Sequence, residues 1–283
     1  TREKIIEIPL TELHPFKDHP FKVIDNEAMF DTAESVKQYG VLVPAIARPR
    51  DEGGYELVAG HRRKRACELA ELETMPVIVR NLDDDAAIII MVDSNLQREN
   101  ILPSERAFAF KLKLEAIKRQ GKRADLTSSQ LGTKLPRADE IIAEQAGSSR
   151  NQVQRFIRLT NLIPEILSMV DEKKIAFNPA VELSFLKDEE QIDLLEAMDM
   201  EQATPSLSQA QRLKKFSNEG KLSLEVMSAI MSEEKKGDLD KVTLTGDKLK
   251  RYFPKSYTPR QMEETIIKLL EGWHKKRTRD QER

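Results

Sequence analysis

A single glycine separates a short apolar strand from a strongly basic helix in the segment 55–72, YELVAGHRRKRACELAEL. Gly60 can adopt backbone angles that are costly for other residues, so we expect a sharp turn that presents consecutive N–H groups. Four cations follow at positions 62–65, and a helix N-terminus itself carries about half a positive charge. The segment therefore predicts an anion site, which would suit a triphosphate. Two alternatives stay open: a solvated helix start, or direct contact with nucleic-acid phosphates.

The composition limits how such a site is used. With 283 residues, of which 39% are hydrophobic and 33% charged, the chain can form one to three soluble domains rich in helix. Its formal net charge is −2, whereas a protein that wraps nucleic acid over its whole surface is expected to be basic. Any nucleic-acid binding must therefore come from local basic patches.

The single cysteine, Cys67, excludes an internal disulfide framework and fits a reducing compartment. Its small and apolar neighbours predict a buried thiol on a helix face. The longest apolar run, 86–92, is much shorter than the roughly 20 residues that a membrane span requires, so no membrane partner is expected. No signal peptide is evident, and the start at Thr1 leaves open that an upstream piece has been removed.

Short strands and helices alternate in the first hundred residues, which predicts a small α+β domain. β-branched or apolar runs indicate strands at 4–10, 41–48, 55–58 and 75–80. Helical spacing, with Asn26 as a cap and Gly40 as the end, indicates a helix at 26–39. His14 and His19 lie in a Pro-rich segment without companions at metal-ligand spacing, so we interpret that segment as a structured loop.

A dense polar cluster at 93–100, DSNLQREN, follows a predicted helix at 84–92. Such a cluster is often only capping chemistry between two helices. Together with the basic turn, however, Asn95 and Arg98 become candidates for a second wall of the anion site. Pro103 then starts a helix predicted to reach residue 120, and the polar stretch 121–137 is predicted to be a linker or loop insertion.

The segment 139–159, DEIIAEQAGSSRNQVQRFIRL, has the pattern of a helix-turn-helix. Ala143 is small where the helices would cross, Gly147 makes the turn, and Val153 and Phe156 pack the second helix on the first. The alternative is a plain helical hairpin. In a helix-turn-helix the second helix reads base edges and phosphates, and the candidate DNA-binding residues are Ser149, Arg150, Asn151, Gln154, Arg155 and Arg158.

Helices are predicted beyond residue 163, at 164–171, 189–198 and 207–216, with packing as the default role. A small module follows at 236–283. Thr258 and Gln261 form a predicted capping box, and the helix that it starts carries an apolar stripe of Met262, Ile266, Leu269, Leu270 and Trp273. Such a stripe buries against another surface, either the rest of this chain or a second copy of it.

Taken in order, these motifs resemble the ParB/RepB/Spo0J family of DNA-partition proteins over about 5–185. The segment 40–45, GVLVPA, looks like the family motif GIxQPL. The segment 60–63, GHRR, looks like GERR, and 94–99, SNLQRE, looks like ENLQRE. A helix-turn-helix follows at the expected distance. Each motif alone is weak, but four in this order are a strong signal.

The resemblance implies a ParB/sulfiredoxin-like α+β domain at 1–100, a helical DNA-binding domain at 101–235 and a small C-terminal helical module at 236–283. It also implies a cytoplasmic, nucleoid-associated homodimer that binds a palindromic site in double-stranded DNA. With CTP and Mg²⁺ bound, such a dimer closes into a sliding clamp. A ParA-type ATPase is a possible partner, although no N-terminal arm to contact it is visible before Ile5.

Carried over by position, the family's motifs assign a nucleotide site to this chain. Gly60, Arg62 and Arg63 would hold the triphosphate, and Asn95 would help to place Mg²⁺. The full set implied by the resemblance is Gly40, Gly60, His61, Arg62, Arg63, Asn95, Gln97 and Arg98.

Three positions depart from the family pattern. His61 and Ser94 stand where the family has glutamates linked to metal placement or hydrolysis, and Val43 replaces a glutamine. A hydroxyl is a poorer Mg²⁺ ligand than a carboxylate. We therefore expect at most a weak CTPase, with hydrolysis-deficient nucleotide binding as the working hypothesis.

Other functions remain to be compared with this one. A sulfiredoxin-like enzyme needs a cysteine within the turn, but Cys67 lies about two turns into the helix. A nuclease needs a carboxylate cluster, which Asp93 and Glu99 do not make. The main alternative is a helix-turn-helix transcription regulator, or a nucleoid-occlusion-like DNA binder, without nucleotide turnover.

Overall fold

The computed structural model describes residues 3–98, 100–127, 137–233, 252–253 and 257–281. The chain divides into two compact units, residues 1–233 and 234–283, and each is treated by itself.

A mixed five-stranded sheet forms the centre of the N-terminal region. Its strands are β1 (Ile5–Pro9), β2 (Leu13–Pro15), β3 (Ala45–Pro49), β4 (Tyr55–Ala59) and β5 (Thr74–Val79), in the order β1-β5-β3-β4-β2. β1 pairs antiparallel with β5, and β3 antiparallel with β4. The β3–β5 and β4–β2 pairs are parallel. A short 3-10 turn, Leu10–Glu12, separates β1 from β2.

Helices cover both faces of this sheet. Successive strand residues point to opposite sides, so adjacent apolar residues of one strand need helices on both sides to be buried. Leu57 of β4 packs on α1 (Glu27–Tyr39) and α2 (His61–Leu69), in the cluster that also contains Met29 and Cys67. The next residue, Val58, packs on the other side against Met91 of α3 (Asp84–Leu96) and Ala109 of α4 (Pro103–Thr127). Cys67 is fully buried, as predicted.

The rest of the first unit is helical. Its helices are α5 (Ala138–Gln145), α6 (Arg150–Arg158), α7 (Pro164–Asp171), α8 (Phe177–Leu183), α9 (Asp188–Met200), α10 (Leu207–Asn218) and α11 (Leu224–Met231). A second 3-10 turn, Leu159–Asn161, follows α6. A separate core joins helices α7 to α11, with Ile166, Leu183 and Leu213 fully buried in it. α4 belongs to the cores on both sides, because Ala109 packs under the sheet and Ala107 packs in the helical core.

In the second unit the structure describes one long helix, α12 (Pro259–Gln281). It starts with the predicted capping box: the Gln261 N–H donates to Thr258 Oγ1 over 3.4 Å, and the Thr258 N–H donates to Gln261 Oε1 over 2.9 Å. Three residues of its apolar stripe, Leu269, Leu270 and Trp273, are more than half exposed.

The predicted fold class, an α+β region followed by an all-α region with a helix-turn-helix, is confirmed. Two local predictions were wrong. Residues 121–127 are the end of α4 and not a loop, while 128–136 lie outside the described residues. α3 continues to Leu96, so Asn95 lies in its last turn and not in a break after residue 92. No described helix is long and apolar enough to cross a membrane.

Candidate functional site

Gly60 connects β4 to α2 in a conformation that suits only glycine. Its φ is +112°, and a Cβ built on it would lie 2.9 Å from the Cβ of Ala45 on the neighbouring strand. Other residues rarely adopt this backbone and would also clash here. The turn therefore brings the N-terminus of α2 close to the start of β3, with the free N–H groups of its first turn available to an anion.

A cleft of about 240 Å³ lies at this turn. It brings together two sequence-distant motifs, since one wall comes from the glycine turn and the other from the end of α3. The lining residues are His19, Val23, Gly60, His61, Arg62, Arg63, Ser94, Asn95 and Arg98. Of the residues predicted for a nucleotide site, Gly40 and Gln97 do not line it. Gly40 ends α1, and Gln97 follows the last turn of α3.

The cations of the turn divide into engaged and available groups. Nη1 of Arg63 donates to the carbonyl oxygens of Val43 and Pro44 over 2.5 and 2.6 Å, so this side chain braces the segment before β3. Arg65 forms a two-pronged bond to Asp25 over 2.6 and 3.0 Å. Partners within the fold therefore already neutralise part of the charge that the four cations at 62–65 carry.

Arg62 and Arg98 form the available group. In the described part of the chain, neither side chain makes a hydrogen bond or an ion pair, and both line the cleft from opposite motifs. A guanidinium presents a fork of N–H donors that matches phosphate or carboxylate oxygens. Two such groups beside a helix N-terminus make the cleft electropositive and suited to an anion with several oxygens.

His61 lies on the wall of the cleft as a neutral imidazole. Burial, together with the positive charge that His19 and Lys64 can place nearby, lowers the pKa of His61 to about 3. Its Nε2 accepts a bond from the Phe16 N–H over 3.4 Å, and its ring centre lies 3.9 Å from that of His19. His61 therefore contributes neither a negative charge nor a permanent positive charge to the cleft.

Sequence reasoning missed His19 and Val23 as lining residues. Nδ1 of His19 lies 2.8 Å from the Phe21 carbonyl oxygen, which accepts its hydrogen bond, while its buried Nε2 has no partner. Burial also lowers the pKa of His19. The two histidines meet only because the loop after β2 folds over the start of α2. No local spacing in the sequence could have revealed this contact.

Ser94 and Asn95 form the second wall on the last turn of α3. The Ser94 hydroxyl and the Asn95 side-chain amide both donate to the Met91 carbonyl oxygen, each over 2.9 Å. The amide oxygen of Asn95 is thus the atom left for a cation. Within the described residues, no group of three or more His, Cys, Asp and Glu side chains is arranged to hold a metal ion.

The helix-turn-helix is formed by α5 and α6. Ile142 and Ala143 of α5 pack with Val153 of α6 and Phe110 of α4 in a small core. Gly147 turns the chain with a φ of +58°, and the Ser149 hydroxyl oxygen accepts the Gln152 N–H over 3.2 Å to cap α6. The second helix therefore begins where the sequence predicted.

The structure places the candidate DNA-binding residues in two groups. Ser149, Arg150, Asn151 and Gln154 are exposed along the first turns of α6. Arg155 and Arg158 are half-buried and lie against α8 and the residues after it: the Arg155 guanidinium bonds Asn178 over 2.6 Å and stacks over Phe177, and Arg158 stacks over Phe185 at 3.7 Å. The first group is exposed and can meet a groove, although Arg150 and Gln154 also bond Asp139 of α5, whereas the second group is packed against α8 and the residues after it.

A buried lysine connects the two candidate sites. Lys113 on α4 is fully buried, and its ammonium donates to Asp93 on α3 and to Gln145 at the end of α5. Asp93 directly precedes the Ser94–Asn95 wall of the cleft. One side chain thus ties the second wall to the first helix of the helix-turn-helix.

Known proteins share both of these regions. The family model described as ParB N-terminal domain matches residues 1–96, and the one described as ParB HTH domain matches residues 126–215. Stage 0 sporulation protein J of Bacillus subtilis (strain 168) is 34% identical over 195 residues, which are 69% of this chain and 62% of that protein. The chain spans about 62% of the length of the curated relatives that it matches.

Two solved structures of the C-terminally truncated chromosome-partitioning protein ParB from Caulobacter crescentus are also similar. The one complexed to the centromeric parS site is 26% identical and covers 80% of this chain and 98% of that chain, with a TM-score of 0.44. The one complexed with CTP-gamma-S is 28% identical and covers 69% and 99%, with a TM-score of 0.32. Since the two family models together match about two thirds of the sequence, in the order of the cleft and the helix-turn-helix, the chain belongs to the ParB family.

Proposed function

We propose that this chain is a sequence-specific DNA-binding partition protein that acts as a CTP-regulated dimeric clamp. The observation that carries the proposal is that one compact unit holds both an electropositive cleft built from two ordered ParB motifs and an exposed helix-turn-helix. The proposed localisation is cytoplasmic, in association with the nucleoid. The proposed division is a nucleotide domain at 1–100, a DNA-binding domain at 101–235 and a C-terminal module at 236–283.

The cleft supports binding of the phosphates in particular. Arg62 and Arg98 face a volume of about 240 Å³, whereas pockets that enclose a whole small molecule measure roughly 300–1,000 Å³. A triphosphate fits this space, and the nucleoside would extend beyond it. Val43 and Pro44 are bonded by Arg63, which lines the cleft, but do not line it themselves. This supports a role for the 40–45 motif near the base and not at the phosphates.

Asn95 is the proposed protein ligand for Mg²⁺, through its amide oxygen. Mg²⁺ beside phosphates keeps several waters and needs few protein ligands, so a single amide fits the group. When bound, Mg²⁺ would neutralise charge on the phosphate oxygens. Positions 61 and 94 supply no carboxylate to this ion. His61 is a neutral imidazole, and the Ser94 hydroxyl donates to the Met91 carbonyl oxygen. This supports nucleotide binding with weak or absent hydrolysis.

Calorimetry with CTP, ATP, GTP and UTP in the presence of Mg²⁺ tests the nucleotide site. CTP is expected to bind best, and Arg62→Ala and Arg98→Ala should each weaken binding about ten- to a hundredfold, since each removes a charge-assisted bond of about 1.5–3 kcal/mol. Arg50→Ala is the matched control, because Arg50 is a partly exposed arginine paired with Glu52 in the same domain. Equal affinity in all four proteins would reject the site.

A phosphate-release assay tests the absence of turnover separately. Wild-type protein with CTP, Mg²⁺ and its preferred DNA should release little phosphate. His61→Glu, which restores a carboxylate at the turn, should raise release if this position limits hydrolysis. Robust turnover by the wild-type chain would contradict the hydrolysis-deficient assignment while leaving the binding site intact.

Crosslinking between N-terminal domains tests the clamp and the homodimer. Crosslinks should increase with CTP and preferred DNA together, and Arg63→Ala should abolish that increase while specific DNA binding remains. If Arg63→Ala instead removes DNA binding alone, the turn is a phosphate-backbone contact.

Footprints on selected DNA distinguish a clamp from the alternative function, a transcription regulator. Binding that spreads from one palindrome supports a clamp, whereas tight footprints on several promoters support a transcription regulator. A ParA-type ATPase remains a proposed partner, to be tested by stimulation of its ATPase rate.

A further inference from the structure

A buried carboxylate of α5 lies beneath the exposed start of α6, the second helix of the helix-turn-helix. Asp139, in the first turn of α5, exposes only 8% of its side chain, whereas Arg150 above it exposes 44%. A charged side chain is rarely buried unless it is paired and hydrogen-bonded. The position therefore calls for partners, and two side chains of the second helix supply them.

Both partners are candidate base-reading residues. Oδ2 of Asp139 accepts a bond from Nε of Arg150 over 2.6 Å and a second bond from Nε2 of Gln154 over 3.0 Å. Arg150 and Gln154 are four residues apart, so they lie on one face of α6. Arg137 adds a third cation, with its Nε 3.8 Å from Oδ1. Although burial alone would raise it, the bonds from Arg150 and Gln154 lower the pKa of Asp139, so the carboxylate stays ionised.

The atoms that Asp139 uses leave the reading edges available. Because Arg150 is held through Nε, its two terminal nitrogens remain for the O6 and N7 acceptors of a guanine. Gln154 is held through one amide hydrogen, so its amide oxygen and second hydrogen remain for an adenine. Two flexible side chains are thus fixed before DNA arrives, which reduces the ordering cost of binding.

We propose that Asp139 is a specificity-determining positioning residue, which holds Arg150 and Gln154 in the conformation that reads base edges. This rests on the proposed function as a sequence-specific DNA binder. Asp139 itself would not touch DNA, since a carboxylate next to phosphates is repelled and this one is covered by its partners. Its effect is on discrimination between sequences and not on the attraction to DNA as such.

The test uses the full chain and a selection from random double-stranded DNA, followed by affinities for the preferred site, for its single-base variants and for unrelated DNA. Asp139→Ala should reduce discrimination at the bases read by Arg150 and Gln154 about tenfold, while affinity for unrelated DNA stays the same or rises. Asp139→Asn, which keeps the shape and one acceptor, should lie between Asp139→Ala and wild type. Glu144→Gln, an exposed carboxylate on the same helix, is the matched control and should change nothing.

A combined variant separates positioning from general stability. In the Arg150→Ala/Gln154→Ala background, Asp139→Ala should have no further effect on discrimination, because the side chains that it positions are gone. Unchanged discrimination in Asp139→Ala and Asp139→Asn, or an equal loss of specific and unrelated DNA binding in both, would overturn the proposal. A wild-type chain that selects no preferred site would instead overturn the proposed function, and the proposal with it.

Discussion

At the scale of single residues, position 60 depends on the absence of a side chain. The positive φ of Gly60 and the 2.9 Å distance between an added Cβ and the Cβ of Ala45 act together, so any substitution strains both the turn and the neighbouring strand. Gly53 offers a natural comparison, because its φ is +90° but no atom lies within 4 Å of an added Cβ. The two sites share the backbone cost and differ in the steric cost.

Gly60→Ala should lower the free energy of unfolding by about 2–3 kcal/mol, and Gly53→Ala by about 1 kcal/mol. Urea unfolding followed by circular dichroism measures both. The difference between the two variants reports the contact with Ala45. Equal losses would mean that the strand moves aside at no cost, and the close packing of the turn would then not constrain residue 60.

His61 makes stability depend on pH. Its folded pKa of about 3 lies below the ordinary value of 6.5, so between these values the unfolded chain binds a proton that the folded chain does not. The contribution of neutral His61 is therefore present in full above pH 6.5 and is lost as pH falls toward 3. At pH 5, the loss amounts to at most about 2 kcal/mol.

Unfolding of wild type and of His61→Gln at pH 7 and pH 5 checks this expectation. Wild type should lose more stability than the variant over this interval, by up to about 2 kcal/mol, because glutamine takes up no proton. His19 remains in both proteins, and because its ring lies 3.9 Å from that of His61, the comparison reports residue 61 together with its contact to His19. Parallel losses in the two proteins would show that His61 is already protonated in the fold or solvated.

At the scale of secondary-structure elements, α4 joins the sheet domain to the helix-turn-helix. Lys113 makes a buried polar contact at this junction, with its ammonium shared between Asp93 and Gln145. A buried ion pair contributes little net stability, but removal of one partner leaves an uncompensated charge. We therefore expect that removal of Asp93 alone, which leaves the Lys113 ammonium without its carboxylate, destabilises the packing of α3, α4 and α5. Replacement of the Lys113 charge by an apolar side chain should destabilise it much less.

Asp93→Ala should lower the free energy of unfolding by about 2 kcal/mol, since it strands the Lys113 ammonium; the partial exposure of Asp93 keeps the cost below that of a fully buried pair. Lys113→Met should change it by less than about 1 kcal/mol, because it replaces the charge with an apolar chain of similar length. Lys118→Met, exposed on the same helix, is the control. A larger loss from Lys113→Met than from Asp93→Ala would contradict this account.

At the scale of the whole molecule, helix α12 of the second unit presents an exposed apolar surface. Leu269 and Leu270 on α12 are 67% and 57% exposed. Large exposed apolar residues at helical spacing indicate an interaction surface. The proposed homodimer gives this stripe an occupant, a second copy of the same helix.

Leu269→Lys/Leu270→Lys should shift the protein from dimer to monomer, because it places charges in the proposed interface. Light scattering coupled to size exclusion, at several protein concentrations, measures the mass directly. Glu271→Lys changes charge on the opposite side of α12 and should leave the mass unchanged. A dimer that persists in the leucine variant would assign the self-association to another part of the chain.

The sequence by itself determined the local elements and their order. Backbone preferences and short-range hydrogen bonds determine these elements, and both depend only on residues close in sequence. Examples are the strand, glycine and basic helix around Gly60, the cap at Ser149 and the capping box at Thr258. The length of α4 was missed because the polar composition of 121–127 resembles a loop, although the helix continues through it.

Only the tertiary structure decided which side chains meet. The stacking of His19 on His61, the hold of Arg63 on the 43–44 carbonyls and the bonds of Arg150 and Gln154 to Asp139 all join residues on different elements. Such contacts arise when the sheet, its covering helices and α4 pack together, because packing sets distances that no sequence spacing encodes. The cleft consequently has two available guanidinium groups, Arg62 from the basic turn and Arg98 from the opposite wall, instead of the four adjacent cations that the sequence of the turn presents.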